Sequence, residues 1–231
     1  MQRRQRKHRC KSDRHMMSAA DLLNTRQLAG VLLILSFILF AIGGILPIIG
    51  DKGNVRIFNL PAREQLLAVA AYVNIWRWAN IFMGIAAIVL MAGLPVLTTL
   101  LNKGNELILS HLGLMGFLLA TILWVIFSVF RSVVTVDAAM EVTASGTLPA
   151  YYQPLARWAF ALFYVYAVLG YLALGCYGAA LLQVDILPAW IGWVALLINI
   201  LFLIHLLITG DTLPAFHYLS PLLIGIVLSW R

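Results

Sequence analysis

The sequence predicts an all-α fold, a polytopic transmembrane helix bundle of six spans with a small extracytoplasmic cap. Three observations carry that expectation. Of 231 residues, 62 % are hydrophobic and only 11 % charged, against ~45–50 % and ~25 % in soluble domains. Charge-free apolar windows recur at 27–50, 78–102, 107–130, 158–184, 186–210 and 212–230, each near the roughly 20 residues that a ~30 Å hydrocarbon core requires. Breakers separate them: Gly50-Asp51-Lys52-Gly53-Asn54, Asn102-Lys103-Gly104-Asn105-Glu106, Gly146-Thr147-Leu148-Pro149, Gln183-Val184-Asp185 and Gly210-Asp211-Thr212. A soluble core of this size has no room for such an apolar excess, and a disordered chain needs the opposite composition. Soluble enzyme, disordered tail and disulfide scaffold are excluded.

The chain divides at its first span into a basic cytoplasmic tail, 1–26, and a six-helix transmembrane domain, 27–231. The tail holds eight Lys/Arg against Asp13 and Asp21, leaving +6 of the net +7, so the remainder is nearly neutral at +1. Such a tail holds the N-terminus in the cytoplasm by the positive-inside rule and contacts anionic lipid at about 1 kcal/mol per basic residue. No folded reader of nucleic acid accompanies it. Met16 and Met17 offer alternative starts that would remove the Arg-rich stretch, after which Ser18-Ala-Ala-Asp21 opens a helix as a near capping box. N-terminal sequencing that recovered residues 1–15 would exclude those starts. Leu28–Ile49 is too long for a signal-peptide core and is read as a retained span. Cys10 lies in the tail and Cys176 in a membrane helix, so they form no disulfide framework.

With the N-terminus inside, ten Lys/Arg fall on the cytoplasmic side, against six (Lys52, Arg56, Arg63, Arg77, Arg131 and Arg157) outside. A start at Met17 reverses that bias to three against six. The expected location is therefore a cell membrane, crossed many times, with both termini cytoplasmic. Aromatic residues cluster at the helix ends as interfacial belts do. Trp76, Trp78, Trp158, Tyr151, Tyr152 and Tyr218 mark the outer end; Trp190, Trp193 and Trp230 mark the inner end. Each closing turn of the last two connections is followed by a proline suited to an early helical position, Pro188 and Pro214. Pro221 is expected to kink the sixth helix or restart it after Ser220.

Two helices exceed what the membrane needs. A helical pattern runs from Pro61 to Leu101, 41 residues or about 61 Å. Another runs from Leu107 past Arg131 to about Ser145, with Gly146 as the stop. Their excess lies on the outer side and forms the cap, or else 57–75 lies in the interface as a separate amphipathic helix. Asn74, Arg77 and Asn80 recur every three residues as a polar strip. Arg77 and Arg131 each fall 24 residues from the inner end of their helix, about 36 Å along it and at the outer edge of the hydrocarbon. Together with Asp137, Glu141 and Arg157 they form a ligand or ion-pair cluster. It is either an outward cavity for a ligand or lipid head group, or a set of snorkelling pairs that tie helix ends together.

Chemistry beyond that cluster is sparse. His205 and His217 converge across the short 210–213 connection as weak candidates for cofactor ligation, while His111 lies near the cytoplasmic end, too far in depth to complete a haem pair. The more ordinary reading is a histidine hydrogen-bonded within the bundle. No nucleophile elbow, His-Glu-x-x-His helix, Walker loop, intramembrane lysine or intramembrane acid pair is present. No metal or cofactor is expected. At mid-span only Ser36, Thr121 and Asn199 offer polar groups, so a proton- or sodium-coupled carrier lacks a coupling residue. The fourth span carries a small-residue face (Gly170, Gly175, Gly178, Ala179) suited to close helix approach, within the fold or to a protein partner or second copy.

Arg26-Gln-Leu-Ala-Gly30 leading into span one, a long second helix, and Tyr177-Gly-Ala-Ala-Leu-Leu182 ahead of Leu187-Pro-Ala-Trp-Ile-Gly-Trp193 form a recognisable pattern. It resembles uncharacterised bacterial six-span integral membrane proteins, a family defined as a domain of unknown function, over roughly residues 22–230. The resemblance implies architecture and a bacterial inner-membrane location, and brings no catalytic residues. The functional expectation is a non-enzymatic accessory or structural membrane protein, or a binder of lipid or a small hydrophobic ligand. A transporter or channel with an outward polar vestibule is the alternative; a haem or pigment carrier or a membrane enzyme ranks third.

Overall fold

A computed structural model describes residues 19–53 and 60–230. The basic stretch before Ala19, with Cys10, Met16 and Met17, lies outside the described residues, as do Arg56 and Arg231. The described residues are 86 % helix, with no strand among them. Its elements are α1 (Ala19–Gly50), α2 (Ala62–Ala71), α3 (Val73–Lys103), α4 (Ile108–Ser132), α5 (Val134–Ser145) and α6 (Tyr152–Leu181). They are followed by α7 (Ala189–Thr209), a 3-10 turn (Pro214–Tyr218) and α8 (Leu219–Ser229). Among the described residues, five helices are long and apolar enough to cross a membrane: α1, α3, α4 with its continuation α5, α6 and α7. Large apolar side chains such as Ile38, Ile85, Ile122, Leu172 and Leu201 stand exposed around the bundle. A water-soluble monomer rarely tolerates so continuous an apolar surface. The chain is built as an integral membrane protein.

The helices close into a ring in chain order. α1 packs on α3, α3 on α4, α4 on α6 and α6 on α7, and α8 returns to α1. Small residues set the closest approaches. A Cβ at Gly178 would meet the Leu196 backbone nitrogen at 2.5 Å, and one at Gly192 would meet the Gly178 carbonyl at 3.0 Å. α6 and α7 therefore touch backbone to backbone, as small residues allow in lipid. Three glycines of the span-four small-residue face, Gly170, Gly175 and Gly178, lie against this chain's own 3-10 turn and α7.

The two long helices are each broken. Tyr72 leaves helical geometry (φ −147°, ψ 51°), and its ring seats against the end of α1, where a Cβ on Gly50 would lie only 3.1 Å away. The second break falls at Val133 (φ −112°, ψ −69°), at the head of the β-branched run Val133-Val134-Thr135-Val136, whose side chains crowd the preceding turn. The separated pieces α2 and α5 pack on each other, burying Leu66 and Val69 against Val136, Ala139 and Val142. α5 stops at Gly146 (φ +72°) and α7 at Gly210 (φ +69°), left-handed positions that glycine occupies without steric cost.

The last segment is discontinuous. α8 starts at Leu219 and places Pro221 in its first turn, where the missing N–H forfeits no helical bond. Its line along α1 is fixed at two points: Gly225 and Ser229 lie against Gly30, and Tyr218 stacks on Phe40 with ring centroids 4.4 Å apart. α8 has 11 residues, about 16 Å of rise, or half of a ~30 Å core. A loop, residues 210–213, and the 3-10 turn precede it.

Candidate functional site

An aromatic cluster fills the axis of the ring at the level where α8 begins. Phe40 of α1 stacks on Tyr218 and approaches Trp124 of α4 at 6.2 Å. Trp124 meets Tyr166 of α6 at 4.7 Å, and Tyr166 meets the His217 ring at 4.8 Å. His217 then stacks on Tyr171 at 3.9 Å, and Phe202 of α7 stacks on Phe216 at 4.0 Å. Trp124 is held in place by donating Nε1–H to the Met83 carbonyl of α3 at 3.0 Å.

His217 is fully buried. Its Nε2 donates to the Ala167 carbonyl at 3.1 Å, across a gap kept open by Gly170, whose Cβ would stand 2.6 Å from the imidazole. Tyr171 shares a hydroxyl–hydroxyl bond with Thr212 in the loop after α7. His205 is instead exposed on α7, so the two histidines do not share a site. With Nε2 committed to a backbone carbonyl between two aromatic rings, His217 is seated as a structural histidine. His111 is also exposed, its Nδ1 donating to the Leu107 carbonyl.

The mid-span polar residues are satisfied locally, with one exception. Ser36 and Thr121 donate to carbonyls of their own helices, at 2.7 Å and 2.9 Å. Asn199 also donates to its own helix, at Ala195, but its Nδ2 reaches Ser220 Oγ at 2.9 Å and so fastens α7 to the start of α8. The Asn199 Oδ1 and the Tyr166 hydroxyl are buried with no hydrogen-bond partner among the described residues.

At the end bearing α2 and α5, the predicted cluster is spread out. Arg131 lies over the Trp76 ring at 4.5 Å and near Phe127 at 5.6 Å, a cation–π cradle. Trp76 is fully buried and donates Nε1–H to the Arg131 carbonyl at 2.9 Å. Asn80 turns inward and donates to the Trp76 carbonyl at 2.8 Å. Asn74, Arg77, Asp137, Glu141 and Arg157 are exposed. Glu141 accepts from the Tyr151 hydroxyl at 3.2 Å, and burial together with that carboxylate raises the phenol's pKa. Tyr72 is shifted the same way, by burial first and by the facing Asp51 second. Arg63 reaches from α2 to the Gly146 carbonyl at 3.4 Å. The structure thus brings Trp76, Phe127 and Asn80 to the Arg131 side and leaves the remaining predicted residues at the surface.

Two features escaped the sequence reading. Glu106 is buried, and its carboxylate accepts from the backbone N–H groups of Leu109 at 2.6 Å and Ser110 at 3.0 Å. It neutralises the first turn of α4, where a negative charge suits the helix dipole; its position three residues before Leu109 was the available signal. Tyr177 crosses from α6 to α3, bonding Thr98 at 2.6 Å and the Leu94 carbonyl at 3.3 Å. Nothing in the local pattern marks that reach.

Comparison with protein-family models finds no match, and searches of curated proteins and of solved structures likewise return none.

Proposed function

We propose that the chain is a non-enzymatic integral membrane protein of a bacterial inner membrane, an accessory or structural bundle that binds lipid. In this reading it has six spans, with Pro214–Ser229 completing the sixth, both termini cytoplasmic and the α2–α5 pair outside. The observation that carries it is the aromatic cluster across the ring axis. Rings from α1, α4, α6, α7 and the 3-10 turn meet there, and a packed core of this kind offers no aqueous path. Near-neutral charge after the tail, and the use of Ser36 and Thr121 within their own helices, support the same view. The isolated protein in proteoliposomes is expected to pass no ions or small solutes and to purify with a stable protein or lipid partner. Robust flux by the protein alone would defeat this reading.

A second reading has one observation in its favour. The sixth segment breaks near mid-depth, beside buried polar atoms that have no hydrogen-bond partner among the described residues, Tyr166 Oη and Asn199 Oδ1 among them. Transporters place substrate sites at such breaks. In that case flux depends on Tyr166, and on the exposed Arg77 at the mouth; Arg77→Leu would abolish flux while sparing the fold. A haem or pigment carrier is the weakest reading, because His217 spends Nε2 on Ala167. A Soret band in purified protein would reinstate it.

A further inference from the structure

At the end opposite α2 and α5, a cavity of about 380 Å³ opens between the start of α1, the end of α3 and the α6–α7 loop. Its polar lining is Arg26, Lys103, Gln183 and Asp185, and its apolar lining includes Leu100 and Ile186. Two cations face one carboxylate, so the lining carries a net charge of +1. That charge, beside hydrogen-bonding groups and an apolar wall, is complementary to a single phosphodiester with a polar head and an acyl tail. The volume falls in the ~300–1,000 Å³ range of ligand pockets.

Depth supports the same ligand. Trp190, Trp193 and Trp230 are 54 %, 54 % and 88 % exposed, and all lie at this end of the bundle. Exposed tryptophans settle at the head-group layer. Trp190 is only five residues beyond Asp185, so the cavity opens where phosphates lie.

We infer that this cavity binds the phosphodiester head group of a membrane phospholipid, with Arg26 and Lys103 on the phosphate and Gln183 and Asp185 on the hydroxyl or ammonium group of the head. The inference rests on the proposed reading, which sets this end in the cytoplasmic head-group layer. Arginine takes a phosphate through two parallel N–H bonds, lysine as a point charge. Phosphatidylcholine, whose quaternary ammonium donates no hydrogen bond, fits poorly.

The test is native mass spectrometry of the delipidated full chain, titrated separately with phosphatidylglycerol, phosphatidylethanolamine and phosphatidylcholine. The first two are expected to bind more tightly than the third. Arg26→Gln with Lys103→Gln should weaken phosphatidylglycerol binding about tenfold or more, as loss of two charge-assisted contacts implies, while Lys52→Gln, an exposed cation at the far end, leaves it unchanged. Asp185→Asn, which raises the positive charge of the lining, should strengthen phosphatidylglycerol binding and gives a readout if the double variant fails to fold. Equal binding by wild type and double variant, or an equal loss in Lys52→Gln, overturns the site. Displacement of lipid by glycerol phosphate alone would assign the same phosphate chemistry to a soluble ester instead of a lipid. Solute flux through the isolated protein would overturn the accessory reading and leave this site standing.

Discussion

His217 and Gly170 form a matched pair whose coupling is measurable. The imidazole occupies the space that a Cβ at position 170 would take, 2.6 Å from its Cδ2, and stacking on Tyr171 leaves it little room to retreat. Gly170→Ala is therefore expected to cost about 1–3 kcal/mol, the usual penalty of overpacking. Gly175→Ala, whose nearest neighbours stand at 3.9 Å and 4.0 Å, should be neutral or slightly stabilising. Unfolding of both variants in detergent checks the contrast, and combining Gly170→Ala with His217→Ala should recover part of the loss. Tyr166 yields a second test. Its hydroxyl is buried without a partner, and removing such a group relieves a desolvation cost of about 1–3 kcal/mol. Tyr166→Phe should leave unfolding unchanged or harder; a clear loss of stability would mean the hydroxyl has a partner in the membrane. The sequence singled out Gly170 and His217, each for its chemical type. Their juxtaposition was not legible, because they lie 47 positions apart on elements whose relative depth depends on where α8 begins. Arg131 was legible as a cation near the end of a long apolar helix, whereas its Trp76 cradle was hidden by reading that indole as an interfacial belt residue.

At the scale of elements, hydrophobic windows located five long apolar helices to within a few residues at most ends. The windows of spans three and five track α4 and α7 closely, that of span one matches the end of α1 and misses its start at Ala19, and Gly146 and Gly210 stop helices as glycine should. Windows missed charge-tolerant ends: α6 begins at Tyr152 instead of 158 because Arg157 is exposed at its start and ends no helix. They also missed the breaks at Tyr72 and Val133, which depend on a ring seated against α1 and on local β-branching. The short α8 depends on tertiary contacts for its place. Asn199 Nδ2 donates to Ser220 Oγ at 2.9 Å, and the other fastening is the close approach to Gly30. Side-chain hydrogen bonds between membrane helices average ~0.6 kcal/mol, with a maximum near ~1.7. Asn199→Ala is expected to cost about that much, and Ser220→Ala nearly the same. The double variant should cost no more than the larger single one, since both remove one bond. Limited proteolysis after α7 should quicken in parallel. Additive losses would show that the two residues act through separate contacts.

The whole molecule is lopsided in how it meets its surroundings, and that asymmetry predicts its orientation. One end carries α2, α5 and the exposed Arg77, Asp137, Glu141 and Arg157; the other carries Arg26, Lys103 and three exposed tryptophans. Of the six aromatic residues expected in an outer belt, Trp76, Tyr152 and Tyr218 are buried in packing, and Trp78, Trp158 and Tyr151 stand exposed. Position relative to the bilayer therefore depends chiefly on charge. In the proposed orientation, retained lysines and arginines keep the tail side cytoplasmic, with Lys103 inside and Arg157 outside. In a Cys10→Ser, Cys176→Ser background, a cysteine at 157 in intact cells should react with a membrane-impermeant maleimide. A cysteine at 103 should react only after permeabilisation. Deleting residues 1–15 adds a sharper test, because it removes seven basic residues and leaves the remaining bias pointing the other way. If the tail alone sets the orientation, the truncated chain should invert or become mixed, with 103 labelled from outside in a fraction of molecules. If α2 and α5 must fold outside for the ring to close, the truncated chain should keep its orientation and lose only yield. The second outcome is favoured by the packing of Leu66 and Val69 on α5, which joins two long elements at one end and resists passage back through the bilayer.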